Sequence, residues 1–256
     1  MISNSLFVII PGFGQPHIEH KIQILQSNLQ IIRSYDWFKL SIHICVYDNT
    51  VFQYIPDKLL NDSQITWIYK KGIVGEYLLE YAHPNMIYNY DYLCILFDDI
   101  ELQSNIQWND VIRYMSTFHF DILSPSLTLD SKYQFQYMLH KFENKNPTVY
   151  VTQACEVFCY FMTVESYSKK YFPHIEIENP WMWGVDMMLY HIFAMKIGII
   201  NHMTMKHHYK NESYNPELKN PFDGQKFLFN KHKTSMEELS QLPAILYIIV
   251  DNNRNG

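Results

Sequence analysis

Three groups of residues in this sequence have the types and spacing to do chemistry. Asp98 and Asp99 leave the apolar run Tyr92 to Phe97 side by side, with Glu101 two residues on. Like charges held at the end of a buried strand repel unless a proton or cation relieves them. A hard divalent ion, Mn2+ or Mg2+, would do so through oxygen ligands and would bridge carboxylates to a diphosphate. The plainer reading makes the pair a turn cap. The second group is Asn179-Pro180-Trp181-Met182-Trp183-Gly184-Val185-Asp186. Trp181 and Trp183 either join the core or present flat apolar faces to the C–H face of a sugar. Asp186 falls in the first turn of the helix expected to follow, where free N–H groups favour a carboxylate. It is therefore expected to be ionised at pH 7 and able to accept a proton from a hydroxyl, unless it is only a helix-start acid. The third group is His202, His207 and His208. His202 reads as structural, whereas His207 ends a strand and could complete a coordination shell begun by carboxylates, with His208 as the fallback.

Placing these groups requires a sheet. Leu6 to Ile10 reads as a buried strand entering a loop at Pro11-Gly12-Phe13-Gly14. Ile18, Ile22, Leu25, Leu29 and Ile32 fall on one helical face. Ile42 to Tyr47 is a second strand stopping at Asp48-Asn49, and Ile65 to Tyr69 a third, cut by Lys70-Lys71-Gly72. Ile73 to Tyr81 is helical and ends before His83-Pro84. Tyr92 to Phe97 lacks any alternation of polarity, as a central strand covered on both faces requires. Strand and helix alternate in the order that builds an α/β fold with a mostly parallel sheet. Further on, a helix is expected at Trp108 to Phe118, a short strand at Asp121 to Leu123 and a loop from Ser124 to Pro147. Val149 to Thr163 is β-rich and includes Glu156, Val185 to Met195 is helical, and a short strand after Gly198 leads to His207. Ligands of such sheets bind beyond the carboxyl ends of the strands, where Asp48, Asp98 and Asp99 fall. The Ser124 to Pro147 loop and Glu156 are expected on the acceptor side. The domain division is 1–210 for the catalytic unit and 211–256 for an extension ending in a frayed tail.

Composition narrows the classes. With 48% hydrophobic and 18% charged residues among 256, the chain can build a large core. A net charge of −6 disfavours a nucleic-acid partner. The longest aliphatic runs fall well short of the roughly 20 apolar residues needed to cross a bilayer, and no secretion signal is read. Cys45, Cys94, Cys155 and Cys159 suit buried thiols of a cytoplasmic protein, and Cys155-x3-Cys159 is a weak zinc spacing.

Taken in order, Phe7 to Gly14, Asp48, Gly72 to Glu80, Leu96 to Glu101, Trp183-Gly184-Val185-Asp186 and the strand closing on His207 resemble the GT-A superfamily of nucleotide-sugar glycosyltransferases. The uncharacterised DUF707 group looks nearest, and the Asn-, Ile-, Lys- and Tyr-heavy composition suggests an AT-rich genome such as that of a large DNA virus, hence host cytoplasm. The resemblance covers about residues 6 to 210. It implies a GT-A, Rossmann-like fold and a nucleotide-diphosphate sugar donor, UDP favoured, with transfer to a hydroxyl of a glycan or protein. Pro11, Gly12, Asp48, Lys71 and Asp98 would bind the donor, and Mn2+ (or Mg2+) would be held by Asp99 with Glu101 and His207. Asp98-Asp99-Ile100-Glu101 departs from a clean Asp-x-Asp, and Asp99-x-Glu101 is an equally legal frame. Asp186 would be the base of an inverting transfer, with Trp181, Trp183 and Glu156 on the acceptor side. Two other readings stand beside it: a sugar-phosphate nucleotidyltransferase, whose Gly-rich basic loop Pro11 to Gln15 lacks, and a binding module without turnover.

Overall fold

The computed structural model describes residues 4–141, 148–209 and 220–251. The strands are β1 (Ser5–Phe13), β2 (Lys39–Val46), β3 (Ile65–Tyr69), β4 (Tyr92–Leu96), β5 (Ile100–Leu102), β6 (Ile122–Leu127), β7 (Thr148–Thr152), β8 (Cys159–Thr163), β9 (Ile197–His207) and β10 (Ile245–Val250). They form one sheet in the order β10-β7-β9-β6-β8-β4-β1-β2-β3, with β5 paired to β9 off this path. The pairings fix the directions: β1, β2, β3, β4, β6, β9 and β10 point one way, and β5, β7 and β8 run against them. His207 therefore ends its strand at the same sheet edge as Asp98. The helices are α1 (Ile18–Ile32), α2 (Asp57–Leu60), α3 (Val74–Tyr81), α4 (Pro84–Ile87), α5 (Trp108–Phe118), α6 (Val164–Ser166), α7 (Val185–Met188), α8 (Pro221–His232) and α9 (Met236–Ser240). This is the α/β architecture with a largely parallel sheet that the alternation of strand and helix predicts. No helix among the described residues is long and apolar enough to cross a membrane.

Where periodicity is strong, the elements fall where the sequence puts them. The apolar face of α1 is buried through Ile18, Ile22, Leu25, Leu29 and Ile32, and every residue of β4 is buried. Long-range pairing overrides the local reading elsewhere. β1 does not stop at Ile10: it runs to Phe13 across a bulge, where Gly12 takes φ 95°, a left-handed value that glycine adopts readily. Ser124 to Leu127 belongs to β6, although Pro and Ser signal a loop. Pro125 sits where the register with β9 shifts, and the Ser126 hydroxyl is within 3.0 Å of the Asn201 carbonyl and 3.1 Å of that of Met203. Residues 142–147 of that expected loop lie outside the described residues, as do residues 211–219 of the polar stretch 211–221 and the tail 252–256. Val149 to Thr163 is not continuous: β7 and β8 are separate, and Glu156 stands in the loop between them rather than on a strand. The helix expected to Met195 ends at Met188, with Ala194 in a left-handed turn at φ 53°. Within 211–256, β10 joins the sheet through β7, and α8 packs on the Trp-Gly segment.

Candidate active site

β9 is eleven residues long rather than the short strand expected, and its last turn pairs with β5, Ile100 opposite His207 and Glu101 opposite Lys206. This register brings the acidic strand end against the histidines. The His207 Nε2 lies 3.1 Å from Asp99 Oδ2, and the His208 Nε2 lies 2.8 Å from Glu101 Oε2. The His208 N–H donates to the Asp99 carbonyl at 3.1 Å. Asp98 turns the other way and takes the ammonium of Lys21, 2.8 Å from its Oδ2, which also accepts the Gly14 N–H at 3.2 Å. Each carboxylate of the Asp98 to Glu101 stretch thus has its own basic partner. Burial pushes the Asp98 carboxyl up to about 6, against the pull of Lys21 and with a further push from Asp99.

His207 is oriented from behind. Its Nδ1 is 2.9 Å from the Lys132 carbonyl, its backbone N–H donates to Ser131 Oγ at 3.1 Å, and the Phe158 ring lies 4.1 Å away. A carbonyl can only accept, so Nδ1 carries the proton and Nε2 faces Asp99. Burial alone would lower the pKa of this imidazole, but the hydrogen bond and charge of Asp99 outweigh it and raise it. With His207 neutral, a lone pair opposes a carboxylate oxygen, and a cation between them relieves the opposition. Neighbouring ligands about 2.1 Å from an octahedral ion lie about 3 Å apart, close to the separation here. Metal-bound histidines commonly fix their other nitrogen on a carbonyl in this way. Asp99 and His207 therefore have the donor types and spacing that could hold a divalent cation. Glu101 does not join them, being engaged by His208; among the described residues no three His, Cys, Asp or Glu side chains gather into a ligand set.

Asp186 reaches the same edge through α3. The Gly75 N–H donates to the Pro180 carbonyl at 2.7 Å, and a Cβ at Gly75 would lie 3.0 Å from that oxygen, so glycine permits the approach. Met182 and Gly184 then turn through positive φ, delivering Asp186 into the first turn of α7. Trp183 packs edge-on to Phe222 of α8 with ring centroids 5.0 Å apart, and Trp181 stays half-buried beside it. A four-residue helix gives little dipole, and burial dominates. It lifts Asp186 up to about 7, helped by the negative charge of Glu156 and opposed by the Met187 N–H, 3.0 Å from its Oδ1. The expectation of a fully ionised carboxylate at neutral pH is corrected: Asp186 is poised to gain or lose a proton there. Glu156 is itself buried, and its Oε1 accepts the N–H groups of Gln134 at 2.6 Å and Phe135 at 2.8 Å.

The expected donor residues occupy the remaining carboxyl edge. Asp48 caps a short turn, its Oδ1 accepting the Thr50 N–H at 2.9 Å. Pro11 is buried and Gly12 half-buried at the bulge, while Lys71 is exposed in the β3–α3 loop and neighbouring Lys70 pairs with Glu80. His202 lies apart from these, with its ring 6.0 Å from that of Tyr114. Reading for motifs passes over Lys21 and Asn28. Both fall on the apolar face of α1, and a polar side chain on a buried face needs a partner. Lys21 finds Asp98; Asn28 donates to the Ile100 carbonyl at 2.7 Å and accepts the Leu102 N–H at 2.8 Å, serving β5 as a neighbouring strand would.

No known family model and no curated protein matches the sequence. The fold is similar to that of GalNAc-T7 solved with UDP, GalNAc and Mn2+, with a TM-score of 0.61 at 12% identity over 93% of this chain and 50% of that one. It is also similar to S. aureus TarS in complex with UDP-GlcNAc, with a TM-score of 0.55 at 11% identity over 94% of this chain and 69% of that one. The chain thus spans about half the length of the GalNAc-T7 structure. The shared architecture is the GT-A fold.

Proposed function

We propose that this chain is a divalent-metal-dependent glycosyltransferase that moves a sugar from a nucleotide-diphosphate donor, UDP-linked, to a hydroxyl of a glycan or protein acceptor with inversion. The observation that carries the reading is the 3.1 Å approach of Asp99 and His207 at the carboxyl edge of a GT-A sheet. Mn2+ or Mg2+ bound there would supply positive charge to a departing diphosphate. Pro11, Gly12 and Asp48 would border the nucleotide, Asp98 the ribose, and Lys71 the phosphates. Asp186, poised at about 7, suits a general base that takes the acceptor hydroxyl proton near neutral pH. Trp181 and Trp183 would offer their faces to the acceptor sugar. The narrower likeness to the DUF707 group rests on the acidic strand end at Asp98-Asp99, Trp183-Gly184-Val185-Asp186 and the later strand closing on His207, and the buried, unbridged thiols favour a reducing compartment.

The test is incubation with Mn2+ and a panel of UDP- and GDP-sugars, with free nucleotide and released or transferred sugar both quantified. Sugar release that requires the metal and is abolished in Asp99→Asn and His207→Ala is expected. Pyrophosphate-forming chemistry would replace this reading with a nucleotidyltransferase, and donor binding without turnover would replace it with a binding module.

A further inference from the structure

Two loops distant in sequence meet behind His207. The loop from Thr128 to Met138 is laced to the end of β9: the Thr128 N–H donates to the Met205 carbonyl at 2.9 Å, Lys132 N–H to the His207 carbonyl at 3.1 Å, and Ser131 Oγ accepts the His207 N–H. Its far side is fastened to the β7–β8 loop. Glu156 Oε1 takes both the Gln134 and Phe135 N–H groups, the Glu156 N–H points at Met138 Sδ at 3.4 Å, and the Tyr137 hydroxyl donates to the Ala154 carbonyl at 2.9 Å. Lys132, whose carbonyl sets the His207 ring, lies between these attachments, two residues before Gln134. One buried carboxylate oxygen on two adjacent amides fixes the local path of the chain more firmly than either bond alone, because a charge-assisted acceptor would lose both donors at once if the chain moved.

We infer that Glu156 is a positioning residue for His207: by gripping the Gln134 and Phe135 amides it holds the Lys132 carbonyl where it locks the imidazole with Nε2 toward Asp99. This rests on the reading of Asp99 and His207 as cation ligands, and it moves Glu156 from the acceptor side to the support of the metal-facing histidine. The grip needs an oxygen at the right reach, not a charge. Gln keeps the reach and loses the charge; Asp keeps the charge and falls short by one methylene.

The experiment compares Glu156→Gln and Glu156→Asp with the full-length wild-type chain, each first shown to be folded by its thermal unfolding profile. One readout is Mn2+ affinity by titration calorimetry. The other, made without metal, is the His207 Nδ1–H proton in the 1H–15N spectrum, which stays observable while the Lys132 carbonyl shelters it. Glu156→Asp is expected to weaken Mn2+ binding about 10- to 100-fold and to lose the sheltered proton, while Glu156→Gln retains both. The opposite ranking, or wild-type behaviour in both variants, overturns the inference. If the wild-type chain itself binds no Mn2+, the metal reading fails, and the Nδ1–H signal alone still decides what Glu156 does.

Discussion

Replacing Asp186 with Asn removes one titrating group while keeping an oxygen for the Met187 N–H, and its effect on stability can be worked out in advance. Asp186 titrates near 4 in the unfolded chain and at about 7 in the folded one, because burial, then the charge of Glu156, disfavour its ionised form. Below about pH 4 it is neutral in both states and contributes no difference. Between about 4 and 7 the unfolded chain has released the proton and the folded chain still holds it, so stability falls as pH rises; above about 7 it levels off. Over about three pH units at about 1.4 kcal/mol each, the loss is about 4 kcal/mol. Asp186→Asn lacks this decline. Urea unfolding of both proteins at half-unit steps from pH 4 to 8 should therefore show the variant gaining about 4 kcal/mol on the wild type across that range. Parallel pH profiles would refute the assignment of a raised pKa to Asp186. In the transfer assay the same variant should lose about 10²- to 10⁴-fold in rate with donor binding intact, and transfer at a near-normal rate would remove Asp186 as the base.

Three further outcomes follow from the geometry. Lys21→Met strands the Asp98 carboxylate in a buried place, so it should cost about 3 to 5 kcal/mol in urea unfolding at pH 8, less at pH 5 where Asp98 is protonated, and be largely recovered in the Lys21→Met, Asp98→Asn double variant. Mn2+ at about a thousandfold over its dissociation constant should stabilise the wild type by about 4 kcal/mol in thermal unfolding and leave His207→Ala unmoved; an equal shift in both would place the ion elsewhere. Asn28→Ala leaves the Ile100 carbonyl and Leu102 N–H unpaired, so it should destabilise by about 2 to 4 kcal/mol and speed hydrogen exchange at the Leu102 amide, whereas unchanged protection there would show that β5 is held by other means.

Much of the architecture was legible because it is written in local periodicity. α1 and α5 match the expected Ile18 to Ile32 and Trp108 to Phe118, and β3 matches Ile65 to Tyr69. These segments bury one face or both, and burial imposes a period that survives in the sequence. The candidate site was legible in residue types: the acidic exit from β4 and the histidine at the end of β9 both stand at the carboxyl edge. The misread stretches are those in which a partner distant in sequence decides. Ser124 to Leu127 looks like a loop until β9 lies beside it, and β9 looks short until β5 extends its pairing.

Residue order alone settled that a parallel-rich α/β sheet would form and that acids would gather at its carboxyl edge, since hydrophobic period and strand-end polarity are properties of neighbours along the chain. Which acid meets which base was settled only by tertiary structure. Asp99 and His207 are 108 residues apart, Glu101 and His208 107 apart, and a one-residue slip of β5 against β9 would exchange these partners. The protonation of Asp186 belongs to the same class: sequence supplies the carboxyl group, but the surroundings that partly shield it from water and the nearby charge of Glu156 come from segments that only folding brings together.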